Sequence, residues 1–312
     1  MRVIAAVTMT ALLFLCGSSI PATAQDISAA SPKPGLSTLL SAELARFSGT
    51  GGVWLKSLGT GEEASVRGDQ HFNSASTIKL AVLVLAFHLS EQRKLDLNER
   101  YTINASDFRG GSGILRYNDP GLKPTLRDLL TQMVITSDNT ATDIMIAKVG
   151  GKDAVNAFLR EKGFQVLHLN MTTNEYFHRG DMAKRAFDET TWLGIASPAE
   201  MGRLIQGIQE GTIASRASCD EMLRVMREQQ SGTRKIPHWL TVPVAHKTGE
   251  GGGVSNDVGI IYAQSGPIIV AFYTIGYTSL TADEDDQIGH AARLIVEYFD
   301  GPVTEGPSGP PP

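Results

Sequence analysis

From Leu36 to Phe47 the apolar residues fall at 36, 39, 40, 44 and 47, the spacing of one helical face. The period then shortens. Gly51–Leu58 and Ala64–Arg67 read as two short strands around Gly59-Thr60-Gly61, a hairpin signal. Ser76 to Leu89 is helical and apolar nearly all round, the pattern of a buried helix. Helical spacing recurs over Leu126–Met133, Thr140–Val149, Lys152–Lys162, Pro198–Glu210 and Ser218–Gln229, with Ser197 before Pro198 as a helix-start signal. After Gly232 short β-branched runs return at Val242–Thr248, Asp257–Tyr262 and Ile268–Tyr277, and a helix over Asp286–Phe299 closes the body. The simplest packing is of the α/β (α+β) class. It has one five-stranded antiparallel sheet built from both ends of the chain and flanked by the terminal helices. An all-α lobe is inserted between the second and third strands. No internal repeat is visible.

The two ends do not belong to this pattern. Arg2, the apolar run Val3–Leu15 and the Ala22-Thr23-Ala24 step before Gln25 read as a secretory signal peptide over 1–24. The run is shorter than the ~20 apolar residues of a span, so a secreted or periplasmic protein with no stable membrane span after signal cleavage is expected. Residues 25–35 read as a linker. Residues 36–299 read as the folded body, with a sheet lobe at about 36–70 and 232–299 and a helical lobe at about 71–231. Residues 300–312 read as a Pro/Gly tail. At 42% hydrophobic and 20% charged, the chain has ordinary globular composition. A net charge of −5 gives no basic field for nucleic acid. The two cysteines are Cys16 and Cys219; loss of the signal leaves Cys219 alone, with no internal disulfide to form. A monomer is expected.

Three strings carry candidate chemistry. Ser76-Thr77-Ile78-Lys79 places a hydroxyl and an amine three positions apart, on one helical face. A desolvated lysine with a lowered pKa can take the proton of a serine nucleophile, and a helix N-terminus favours the negative charge that develops. Ser137-Asp138-Asn139 lies between two helical patterns, where it could cap a helix, relay a proton or bind an amide carbonyl. Lys247-Thr248-Gly249 ends a strand and enters Glu250-Gly251-Gly252-Gly253, either as a plain turn or as a carboxylate site on a strand edge. Scattered histidines without H-x-H-x-D or H-E-x-x-H spacing argue against a metal, and no cofactor fingerprint is present. His246 is expected to face away from Lys247, because strand neighbours alternate faces.

Taken together, in the order S-x-x-K, S-D-N, K-T-G and at separations of 61 and 110 residues, the strings resemble the class A β-lactamase and penicillin-binding-protein superfamily. The likeness spans about Leu36 to Phe299. It implies Ser76 as the acylated nucleophile, Lys79 as its base partner and Ser137 as the proton shuttle to the leaving nitrogen. It further implies Asn139 for the substrate acylamide, Lys247 and Thr248 for the carboxylate, Gly249 for close approach, and the backbone N–H groups of Ser76 and Glu250 as an oxyanion hole. The implied substrate is a small β-lactam or a peptidoglycan-like acyl-peptide.

The chain also departs from that pattern. The E-x-x-L-N string that supplies the deacylating carboxylate in class A enzymes is missing, and counting from Gly151 puts Thr173 at the Glu position. Glu175 and Glu189 are the candidate substitutes. Glu250 stands where a small residue is usual, and its charge opposes anionic substrates. The carboxylate-binding Arg after K-T-G is missing, leaving Arg234 as the candidate replacement. The leading expectation is an exported serine hydrolase that opens β-lactam amides. The alternatives are a slow-deacylating relative, D,D-peptidase-like or an esterase, and a non-catalytic envelope binding protein.

Overall fold

Five strands order as β2-β1-β8-β7-β6 in one antiparallel sheet: β1 (Thr50–Ser57), β2 (Glu63–Val66), β6 (Val244–Glu250), β7 (Ser255–Ala263) and β8 (Gly266–Ile275). The first two come from the start of the chain and the other three from its end. A computed structural model describes residues 35–178, 187–251, 253–276 and 282–303. The expected signal peptide and most of the expected linker and tail lie outside these residues.

The sheet is apolar on both faces, and strand alternation sorts its residues into two clusters. Val53 and Leu55 of β1, with Ile268, Val270 and Phe272 of β8, face the terminal helices α1 (Leu36–Leu44) and α9 (Ala282–Asp300). Trp54, Ile269, Ala271 and Tyr273 face the other way, into the core of the helical part. Burial on both faces explains why β8 reads as a continuous apolar run rather than an alternating one.

Within the helical part, α2 (Lys79–Glu91) runs through the middle, with every residue from Lys79 to Phe87 buried. Around it stand α3 (Leu126–Ile135), α4 (Asn139–Lys148), α5 (Gly151–Glu161) and α8 (Arg216–Arg227), while α7 (Pro198–Glu210) packs on β1 and β8 of the large sheet. Local chemistry starts several of them. The Thr125 hydroxyl accepts from Asp128 N and the Asp128 carboxylate from Thr125 N, a capping box on α3. The Ser197 hydroxyl accepts from Glu200 N, with Pro198 in the first turn of α7.

Three features are absent from the sequence expectations. Ser76 lies on a 3₁₀ turn, Ala75–Ile78, that precedes α2 rather than inside the α-helix. A small second sheet, in the order β3-β5-β4, joins Phe72–Asn73 (β3), Gly194–Ala196 (β5) and His168–Leu169 (β4). The segment after β4 forms a short helix, α6 (Thr173–His178). Two- and three-residue strands carry no periodicity, so only their partners reveal them.

Candidate active site

A cavity of about 330 Å³ opens where β6, the 3₁₀ turn, the start of α4 and α6 meet. Ser76, Ser137, Asn139, Thr173, Tyr176, Phe177, Thr248 and Glu250 are among its lining residues. The three strings read from the sequence therefore converge on one space.

Ser76 is held by constraints on its neighbours. Ala75 has φ +43°, a left-handed conformation that costs an alanine strain energy. Its N–H donates to Asn73 Oδ1 at 3.0 Å, and the Asn73 carbonyl accepts from Asn256 Nδ2 at 2.8 Å. Asn256 Oδ1 accepts in turn from Thr274 N at 3.0 Å, so two strands of the large sheet fix the turn. From the other side, Ser74 N donates to Gly194 O in the small sheet at 2.9 Å. A Cβ on Gly249 would lie 2.7 Å from Ser74 O and 3.2 Å from Ser76 N. Only glycine lets the end of β6 run against the backbone of Ser74–Ser76.

Lys79 is completely buried beneath the cavity. Its Nζ donates to Ser137 O at 2.6 Å, Asn139 Oδ1 at 2.9 Å and Ser137 Oγ at 3.1 Å. Burial holds its pKa well below the usual lysine value, and the Lys247 charge pushes it the same way, against Asp138 and Asp143. Ser137 itself sits at φ +55°, and its carbonyl accepts from both Lys79 Nζ and Ser112 Oγ. The left-handed backbone at a non-glycine residue is the strain that turns both Ser137 oxygens toward Lys79.

The middle of the S-D-N string is structural. One Asp138 oxygen caps α4 by accepting from Ala141 N at 2.9 Å. The other accepts from Ile114 N and Leu115 N at 2.7 and 2.8 Å. The cap thereby ties the Gly110–Gly113 rim to α4. Asn139 Nδ2 donates to Gly110 O at 2.8 Å, closing the same loop from the cavity side.

Lys247 is also fully buried. Its Nζ donates to Thr248 O at 2.9 Å, and desolvation lowers its pKa to about 7. His246, its neighbour, does turn the other way and bonds Asp257 at 2.9 Å. Thr248 Oγ1 meets Ser231 Oγ at 2.7 Å on the cavity wall.

Three residues named from the sequence stand elsewhere. The Glu175 carboxylate is bound by Lys152 Nζ at 2.8 Å and by Thr172 N at 2.7 Å, on the outer side of α6 and outside the cavity lining. Glu189, the other carboxylate candidate, pairs with His71 at 3.1 Å, also outside the lining. Arg234 is exposed and does not line the cavity. The next residue, Lys235, is fully buried and reaches Glu250 Oε1 at 2.7 Å. Sequence reasoning passed over Lys235 because a lysine in a polar loop reads as a solvated charge. Asp143 was passed over as well. It accepts from Thr173 N, Thr173 Oγ1, Asn174 N and Arg109 Nε at 2.7–3.0 Å, and so anchors α6 to α4. Among the described residues no group of three or more His, Cys, Asp or Glu has the arrangement of a metal site.

A sequence model of the beta-lactamase enzyme family matches residues 35–299, nearly the whole described body. The chain belongs to the beta-lactamase enzyme family. It is 27% identical over 255 residues to Beta-lactamase L2 of Stenotrophomonas maltophilia, covering 78% of this chain and 80% of that protein. Among solved structures it is similar to a β-lactamase from Sphaerobacter thermophilus, at 29% identity and TM-score 0.75, covering 85% of this chain and 96% of that one. It is also similar to PBP-A, at 26% identity and TM-score 0.75, with the same coverage. The α+β fold and the assignment to the class A serine β-lactamase hydrolases thus agree with the expectation from the sequence. Ser76, Ser137, Asn139 and Thr248 line one cavity, with Lys79 buried against Ser137 and Asn139 and Lys247 buried next to Thr248 in the chain.

Proposed function

We propose that this β-lactamase family member is an exported enzyme that opens β-lactam amides through an acyl-enzyme on Ser76, and that the acyl-enzyme is long-lived. The observation that carries the first half is the fully buried Lys79, with its lowered pKa and its Nζ on Ser137 and Asn139, which line the same cavity as Ser76. Neutral Lys79 takes the Ser76 hydroxyl proton as Oγ bonds the lactam carbonyl carbon. The amides of Ser76 and Glu250 receive the developing oxyanion, worth roughly 3–4 kcal/mol per donor in such sites. The carbon–nitrogen bond then breaks. The proton passes from Lys79 through Ser137 Oγ to the leaving nitrogen, leaving an ester on Ser76. Asn139 orients the acylamide, and Lys247 and Thr248 receive the carboxylate.

The second half rests on what faces that ester. Thr173 lines the cavity, but its hydroxyl is given to Asp143 at 2.8 Å. Glu175 and Glu189 are engaged outside the cavity, by Lys152 and His71. Among the described cavity-lining residues the carboxylate is that of Glu250, which Lys235 holds. None of these is a free base for water, so hydrolysis of the ester is the slow step. A mutant of PBP-A has been solved as its acyl-enzyme complex with penicillin G, at 26% identity and TM-score 0.74 to this chain, which supports the same chemistry.

Intact-protein mass after mixing with a chromogenic cephalosporin tests both halves. An adduct on Ser76 that persists after the colour burst is expected. An adduct lost within one turnover cycle makes the enzyme a fast β-lactamase, and a wild-type protein with no adduct overturns the reading.

A further inference from the structure

Glu250 joins two facts that the serine chemistry does not use. It lines the cavity beside Thr248 with half its side chain exposed, and its Oε1 lies 2.7 Å from Lys235 Nζ. Lys235 is a fully buried cation behind the cavity wall. Its other neighbours are Asn256 O at 3.4 Å and Asp285 Oδ1 at 3.7 Å. Asp285 is itself engaged by Ser255 Oγ at 2.6 Å. Ser255 pairs with Glu250 across β6 and β7, so the whole group is one cluster at the open end of the K-T-G strand.

A buried ammonium needs a counter-charge. Asp285, at the longer distance, is the weaker partner, so the short contact to Glu250 is the one that satisfies Lys235. We infer that Glu250 is a built-in carboxylate that occupies the anion site of the cavity. A substrate carboxylate must displace it from Lys235 or bind against its charge. The inference rests on the acylation reading above, and it names a substrate class. This chain favours β-lactams whose substituent beside the ring nitrogen is uncharged, over those that carry a free carboxylate there. Glu250 is in this sense a specificity residue. Its side chain acts on binding near the leaving side of the ring, separately from the oxyanion role proposed for its backbone N–H.

The test compares a penicillin with its methyl ester. Acylation of Ser76 by each is followed by intact mass in the wild-type full-length protein and in Glu250→Gln. On Glu250→Gln the acid is expected to gain ten-fold or more in second-order rate relative to the ester, whose own change reports any effect on the Glu250 amide. Adding Lys235→Met to Glu250→Gln is expected to take that gain back. An acid-to-ester ratio unchanged within two-fold in Glu250→Gln overturns the inference, with a urea midpoint measured beside it because the change leaves buried Lys235 with Asp285 as its counter-charge. A gain that survives Lys235→Met in a folded protein overturns Lys235 as a cation that adds to Lys247 in receiving the carboxylate. If neither compound leaves an adduct on wild-type Ser76, the acylation reading falls. Calorimetric binding of the same two compounds to Ser76→Ala, with and without Glu250→Gln, then decides this inference alone. Ten-fold tighter binding of the acid only supports it, and equal change for acid and ester overturns it.

Discussion

In the proposed mechanism two buried lysines set the pH behaviour of the site, and they do so in opposite directions. Acylation needs Lys79 neutral, so its rate for a carboxylated substrate rises from low pH as Lys79 loses its proton at a pH below the ordinary lysine range. Holding the substrate carboxylate needs Lys247 charged, so that hold weakens as pH rises through about 7. A bell-shaped second-order rate constant is expected for the acid, with the falling limb missing for a neutral ester; stopped-flow measurement across pH 5–9 checks both. The same lysine carries a stability cost. Folded Lys247 has a pKa of about 7, against the ordinary lysine value in the unfolded chain. Between these two pH values the unfolded chain binds more protons, so stability rises with pH, and the penalty is complete below about 7. Lys247→Met is therefore expected to stabilise the protein at pH 6 by about 1–4 kcal/mol in urea unfolding, while acylation by carboxylated substrates collapses.

At the scale of elements, the site depends on how loops are tied to helices. Glu200 in the first turn of α7 is the clearest instance. It is buried, and its carboxylate accepts from Gln165 N, Val166 N and Leu167 N, each at 2.8 Å. These bonds hold the approach to β4 and hence the small sheet, whose β5 receives Ser74 N next to the nucleophile. Glu200→Ala leaves three donors without their charged acceptor, and a loss of about 3 kcal/mol is expected in chemical denaturation. Acylation is expected to slow as well, because the small sheet positions the turn. Ser197-Pro198 marked the start of this helix in the sequence. The task of Glu200 was not legible there, because a Glu in the first helical turn equally suits a plain dipole contact.

On the scale of the molecule, the large sheet separates two cores. One is shared with α1 and α9, the other with the helical part that carries Ser76, Lys79, Ser137 and Asn139. Damage to the first core should therefore cost stability without touching the chemistry. Leu40, on α1 and almost fully buried, is the test position. Leu40→Ala is expected to destabilise the protein by about 2–5 kcal/mol, with the Ser76 acylation rate unchanged within two-fold at a temperature where it stays folded. Denaturant midpoints set beside adduct rates separate the two effects.

By itself the sequence determined whatever depends on near neighbours in the chain. Helical and strand periods placed most elements within a few residues, because each element buries one face or, like α2 and β8, all of itself. The three strings and their order were enough to name the family, since each joins a reactive group to its local setting within four residues. Tertiary structure decided which charges meet. Lys235 reaches Glu250 across fifteen positions of chain, Asp143 reaches Thr173 across thirty, and Glu175 turns to Lys152 and away from the cavity. Ion pairs of that kind are set by the packing of whole elements, and a charged residue in a loop carries no period that announces its partner. The mild −5 net charge therefore says little about the site, where the cavity carboxylate Glu250 is held by the buried Lys235.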